Sequence, residues 1–94
     1  MVQEVFGIAS FRSRQQVMKF EGALRRNGVQ VSVITTPRDV SVGCGLSIRF
    51  ELCDAERVAE IYRQVHPSNL IGFYSVERKQ GKRTETRPLS NMMA

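Results

Sequence analysis

Residues 46–52 read Leu-Ser-Ile-Arg-Phe-Glu-Leu. Leu46, Ile48, Phe50 and Leu52 fall on one side of an extended chain, and Ser47, Arg49 and Glu51 on the other. Successive side chains of a strand point to opposite faces, so this alternation predicts a half-buried strand with one wet face. Working outward, Asp54 is placed to cap a helix whose Val58, Ile61, Tyr62 and Val65 recur at i, i+3, i+4 and i+7. His66-Pro67 closes that helix, and Leu70–Val76 (LIGFYSV) reads as the last strand. On the other side, Val29–Thr35 (VQVSVIT) sets Val29, Val31 and Val33 on one face and ends at Pro37. Before it, Ser10 or Ser13 caps a helix running to about Asn27, with Val17, Phe20 and Leu24 as its apolar stripe. Arg25 and Arg26 suit the last turn, and Asn27-Gly28 is a stop signal. The first strand, Glu4–Ser10 (EVFGIAS), has apolar groups on both faces, as a central strand does.

The order is β-α-β-β-α-β. Two helices can cover one face of a four-stranded sheet, and the polar side of residues 46–52 fits the face left open. The expected fold is α+β: a ferredoxin-like sandwich, with a four-stranded antiparallel sheet and two helices on one face.

The chain has 94 residues, enough for one domain. Its 41% hydrophobic and 24% charged content is that of a globular protein. Apolar runs are too short for a membrane-crossing helix. The start, MVQEVFGIAS, has no basic region followed by an apolar stretch, so no signal peptide and a cytoplasmic location are expected. The net charge of +5 is uneven. From position 78 onward Arg78, Lys79, Lys82, Arg83 and Arg87 stand against Glu85 alone. The expected division is a single domain over 1–77, nearly neutral, and a basic, flexible tail over 78–94.

Between the second and third strands lies Thr36-Pro37-Arg38-Asp39-Val40-Ser41-Val42-Gly43-Cys44-Gly45, longer than a hairpin needs. Gly43 and Gly45 leave the Cys44 sulfur uncrowded and let another molecule approach the backbone. A nearby guanidinium such as that of Arg38 favours the thiolate, the reactive form. Equally, the glycines can serve a turn and Cys44 can be a small buried hydrophobe.

The string from Thr36 to Ser41, running into Gly43-Cys44-Gly45-Leu46-Ser47-Ile48-Arg49-Phe50, resembles the selenium/sulfur carrier-like family of small bacterial proteins. That family has Thr-Pro-Arg, an acidic residue, Ile or Val, Ser, two small residues, and then Cys-Gly before an apolar strand. The likeness covers about residues 4–76, including Gly72 and Tyr74 in the terminal strand. Val42-Gly43 departs from it, standing where the family has small polar residues. The resemblance implies that Cys44 is the carrier thiol, and that Pro37, Arg38, Ser41 and Gly45 shape or tune its loop; Gly43, which leaves the sulfur uncrowded, is a further tuning candidate. Arg49 would add to the tuning, and Ser41 and Ser47 would donate hydrogen bonds to the sulfur. It further implies a relay of sulfur or selenium between a cysteine desulfurase-type donor and an acceptor protein. Such a protein is a carrier, not an enzyme, and needs no cofactor.

The remaining candidates are weaker. Cys53 is separated from Cys44 by a strand about 30 Å long, whereas a disulfide needs Cα atoms within about 7 Å, so no bridge is expected. Two cysteines and the single His66, without C-x-x-C spacing, argue against a metal site. The same element order serves RNA-recognition domains, but those need exposed aromatics on the wet face, where this third strand has Ser47, Arg49 and Glu51. Nucleic-acid binding would then fall to the basic tail alone, weak and without sequence preference. A regulatory or protein-interaction role, with a homodimer formed through the open face or an edge strand, is the further alternative.

Overall fold

In the computed structural model, which describes residues 3–37, 40, 45–79 and 84–89, the alternating stretch around Ile48 is strand β3 (Leu46–Phe50). The other elements are β1 (Gln3–Phe11), α1 (Arg14–Arg26), β2 (Val31–Thr35), α2 (Ala55–Val65), β4 (Leu70–Lys79) and β5 (Glu85–Pro88). A 3-10 turn over Leu52–Asp54 leads into α2. All strand pairs are antiparallel, and the order across the sheet is β2-β3-β1-β4-β5. The helical stripes and alternating strands thus fold into an α+β domain with two helices and an antiparallel sheet.

The sheet has five strands, which corrects the expected four. β4 continues to Lys79, and Glu85–Pro88 pairs with it, Thr86 opposite Val76 and Pro88 opposite Tyr74. Leu89 then donates its N–H to the Phe73 carbonyl at 2.8 Å and packs on the core. The features that made this segment read as a tail, its charges and Pro88, are those an outermost strand tolerates and uses against further pairing.

The main core lies between the sheet and the helices. Ala9, Phe11, Ile48, Phe50 and Phe73 from the strands meet Val17, Phe20, Leu24, Val58 and Ile61 from the helices. Phe20 packs edge-on against Phe11 and Tyr62, and Tyr62 against Phe73, with ring centroids 5.2–6.0 Å apart. Gly7 is needed here: a Cβ at that position would run into the Phe50 ring.

Helix ends follow local chemistry. The Ser13 hydroxyl accepts the Gln16 N–H, and Asn27 caps α1 by donating both its N–H and its side-chain amide to the Ala23 carbonyl. His66 takes the left-handed conformation (φ 51°) after α2 and donates its N–H to Tyr62. Asp54 occupies the cap position of α2 but makes no side-chain cap bond. The 3-10 turn runs straight into the helix and leaves Asp54 near-helical (φ −96°, ψ 4°) rather than extended, so its carboxylate does not fold back.

Candidate functional site

The face of the sheet turned away from the main core carries Phe6, Ile8 and Ser10 of β1. Beside them are Ser47 and Arg49 of β3, Ile34 of β2, and Gly72, Tyr74 and Val76 of β4, placed there by strand alternation and register. Phe6, Ile8 and Val76 are buried and form a second, smaller apolar cluster. Ile34, Tyr74 and Val40 pack against it. Val40 belongs to the long connection between β2 and β3, so this connection supplies part of the cover over the sheet.

Ser47 is fully buried (0% exposed), against the expectation of a wet face along β3. Its hydroxyl is bonded to that of Ser10 at 2.7 Å and to that of Thr36 at 2.7 Å. Ser10 is also 0% exposed and Thr36 is 7% exposed. Buried hydroxyls persist only when partnered, and these three partner one another.

The hydroxyl chain sits at the stem of the connection. Thr36 donates its N–H to the Gly45 carbonyl at 3.1 Å, which closes the segment from 36 to 45 at its base. Val40 donates its N–H to the Pro37 carbonyl at 3.0 Å, forming a turn just inside the stem. Gly45 has φ +148°, and a Cβ there would lie 3.0 Å from the Phe11 carbonyl and 3.3 Å from Thr36 Oγ1. Its glycine character therefore serves a close backbone approach and a left-handed φ as well as any opening around a neighbouring sulfur.

Of the residues expected at the site, Pro37, Gly45 and Ser47 are brought together at this stem. Arg49 stands two positions beyond Ser47 on the same face, its guanidinium 3.0 Å from Glu4 and 3.9 Å above the Phe6 ring. Arg78 lies over the same ring at 5.3 Å. Cys44, Arg38, Ser41 and Gly43 lie outside the described residues. Phe6 is 1% exposed beneath the two guanidinium groups, so this aromatic of the helix-free face offers no surface for stacking a base. Cys53 is free and exposed in the 3-10 turn before α2.

Sequence reasoning read Ser10 only as a possible helix cap, whereas the structure places it inside β1 and leaves the cap to Ser13, and it gave Val40 and Thr36 no role of their own. The signal for Ser10 was available, since it continues the Phe6–Ile8 alternation and stands opposite Ser47 in the register. The pairing of these particular strands is what turns three scattered hydroxyl residues into one chain.

An α+β sheet domain with a long connection closed at its stem, whose Val40 packs on the helix-free face, defines a class of small scaffold that presents a loop. The family model described as "Putative Se/S carrier protein-like" matches residues 6–71, and the chain belongs to that family. Comparisons with curated proteins and with solved structures give no match. Among the described residues, no helix is long and apolar enough to cross a membrane.

Proposed function

We propose that the protein carries sulfur or selenium on Cys44 and relays it from a cysteine desulfurase-type donor to an acceptor protein. The observation that carries this reading is the stem: Thr36 and Gly45 are clamped together over a buried hydroxyl chain, so the ten-residue connection is mounted on a rigid base. A functional loop on a rigid scaffold is the usual way to present a reactive group. Membership of the selenium/sulfur carrier-like family supports the same reading. We also read the strand order β2-β3-β1-β4 as a ferredoxin-like arrangement to which β5 is added.

The chemistry is two exchanges. The Cys44 thiolate attacks the outer sulfur of a donor persulfide, R–S–SH. A new S–S bond forms to Cys44, the donor's S–S bond breaks, and the donor leaves as its thiolate. The acceptor thiolate then takes the outer sulfur in the same way and regenerates Cys44. No electrons are gained or lost overall. The rate depends on thiolate fraction, nucleophilicity and access together. Arg38 and Ser41 are the neighbours in sequence that would tune the first of these.

Intact mass after incubation with a persulfide donor tests the proposal. The wild type is expected to gain the mass of one sulfur atom. Cys44→Ala is expected to gain none, while Cys53→Ala loads as the wild type does. A wild type that stays unmodified, or a Cys44→Ala variant that still loads at the same level, would overturn the assignment.

A further inference from the structure

The two edges of the sheet are finished differently. The order β2-β3-β1-β4-β5 leaves β5 at one edge and β2 at the other. β5 carries Glu85, Arg87 and Pro88, groups that oppose further strand pairing. β2 reads Val31-Ser-Val-Ile-Thr35, with neither charge nor proline, and its register against β3 is unbroken from end to end. The direction of its free groups follows from that register. Thr36 stands opposite Gly45 and donates its N–H to it, so every second residue back along the strand, Ile34 and Ser32, also bonds to β3. Val31, Val33 and Thr35 then turn their N–H and C=O groups away from β3, toward the open edge. Among the described residues, one side chain donates to that edge: the Arg25 guanidinium, bonded to the Val31 carbonyl at 3.0 Å. A carbonyl oxygen has a second lone pair, so this acceptor stays open.

The flank of α1 above the edge is exposed as well. The bond from Arg25 to Val31 shows which flank overhangs β2. Glu21, 3.1 Å from Arg25, and Met18 lie on it, one and two turns earlier. Met18 is 53% exposed, whereas Val17, Phe20 and Leu24 on the inner side of the helix are buried. An open backbone edge and an exposed methionine thus belong to one surface, bordered by a Glu–Arg pair whose charges cancel.

We propose that this surface pairs with a second copy of the chain, β2 against β2, antiparallel about Val33. A two-fold contact sets the residue at its centre against itself, so that residue must be neutral, as Val33 is. Outward-facing residues must meet outward-facing residues, and the alignment that overlaps the whole strand sets Val33 against Val33 and Val31 against Thr35. Each of the three then both donates and accepts across the axis. The α1 helices lie on one side of the joined strands with their Met18 flanks turned toward each other, and two five-stranded sheets become one continuous sheet. A strand of another protein would meet an edge with no charge to select it, whereas the second copy matches β2 in length and polarity throughout. The Thr36–Gly45 stems fall at opposite ends of the paired strands. The pairing stands whether or not Cys44 carries sulfur.

Light scattering over a concentration series is expected to give twice the 10.7 kDa of the chain, falling toward the monomer on dilution. Thr35→Pro deletes an outward N–H and leaves the bonds to β3 in place. It is expected to raise the dimer dissociation constant about tenfold. The register is read by cross-linking in a Cys44→Ala, Cys53→Ala background. Facing residues of a hydrogen-bonded pair have Cα atoms about 5.5 Å apart, within disulfide range. Val33→Cys is therefore expected to cross-link under mild oxidation, and Thr35→Cys, whose two copies lie about 13 Å apart, is not. A chain that stays monomeric throughout the series overturns the proposal and leaves the edge to a strand of a different protein. A dimer that Thr35→Pro leaves intact, or in which Val33→Cys links no faster than Thr35→Cys, overturns it by placing the interface elsewhere. If Thr35→Pro fails to fold, the two cysteine variants decide. Sulfur loading of Cys44 is read separately and moves neither result.

Discussion

The two faces of the sheet obey the same alternation rule and reach different ends. On one face, apolar side chains of the strands and the stripes of α1 and α2 close into a single apolar core. On the other, a three-residue cluster is covered by Ile34, Tyr74 and Val40, bordered by three mutually bonded hydroxyls, and roofed by two guanidinium groups. The first face is sealed by elements that form whether or not the protein has a task. The second is sealed partly by the connection that bears the candidate thiol. The difference assigns folding stability chiefly to one face and the seating of the loop to the other.

Two buried phenylalanines probe that division. Phe20→Ala, in the centre of the helix-side core, is expected to cost about 4–5 kcal/mol, the upper part of the range for such truncations, because the surrounding rings and strands cannot collapse into the space. Chemical denaturation measures it. Phe6→Ala, on the other face, is expected to cost less, about 3 kcal/mol, since the side chains above it are arginines that can settle into the cavity. Equal losses would erase the distinction between the faces. A loss at Phe6 accompanied by faster proteolysis between residues 37 and 45 would sharpen it, because Val40 rests on the same cluster.

The smallest effect concerns the far end of β4. The Glu77 carboxylate, 2.9 Å from Lys79 Nζ, raises the Lys79 pKa above the ordinary lysine range, through the hydrogen bond first and its charge second. The folded state therefore holds this proton more tightly. The associated stabilisation is complete below the ordinary lysine pKa and is lost as pH rises through the raised value. Glu77→Gln is expected to return Lys79 to the ordinary range, as followed by NMR titration of its side chain, and to leave both faces of the sheet unchanged.

Most of the fold was legible because it is written in local periods. The stripe Val17–Phe20–Leu24, the stripe Val58–Ile61–Tyr62–Val65 and the alternation Leu46–Ile48–Phe50 each name an element and the face it buries, and the structure builds α1, α2 and β3 from them. β5 was not legible. Glu85-Thr-Arg-Pro88 has no apolar alternation to announce a strand, and it becomes one by pairing with the extended end of β4. Asp54 was read as a side-chain cap, but the 3-10 turn that displaces it depends on how β3 meets α2.

For the site, the sequence by itself marked the segment from Thr36 to Gly45 and its family, because residue types at fixed spacing are a property of the chain alone. It could not reveal that Ser47, polar and alternating with apolar neighbours, is as buried as Ile48. Burial of a polar strand residue depends on what covers the sheet and on which hydroxyls lie across the ladder. Both are set by contacts distant in sequence: Ser10 with Ser47, Thr36 with Ser47, and Val40 on the cluster around Phe6. Only the folded sheet brings these groups within hydrogen-bonding distance, so only the tertiary structure decided that the loop stem stands on a hydroxyl chain rather than in water.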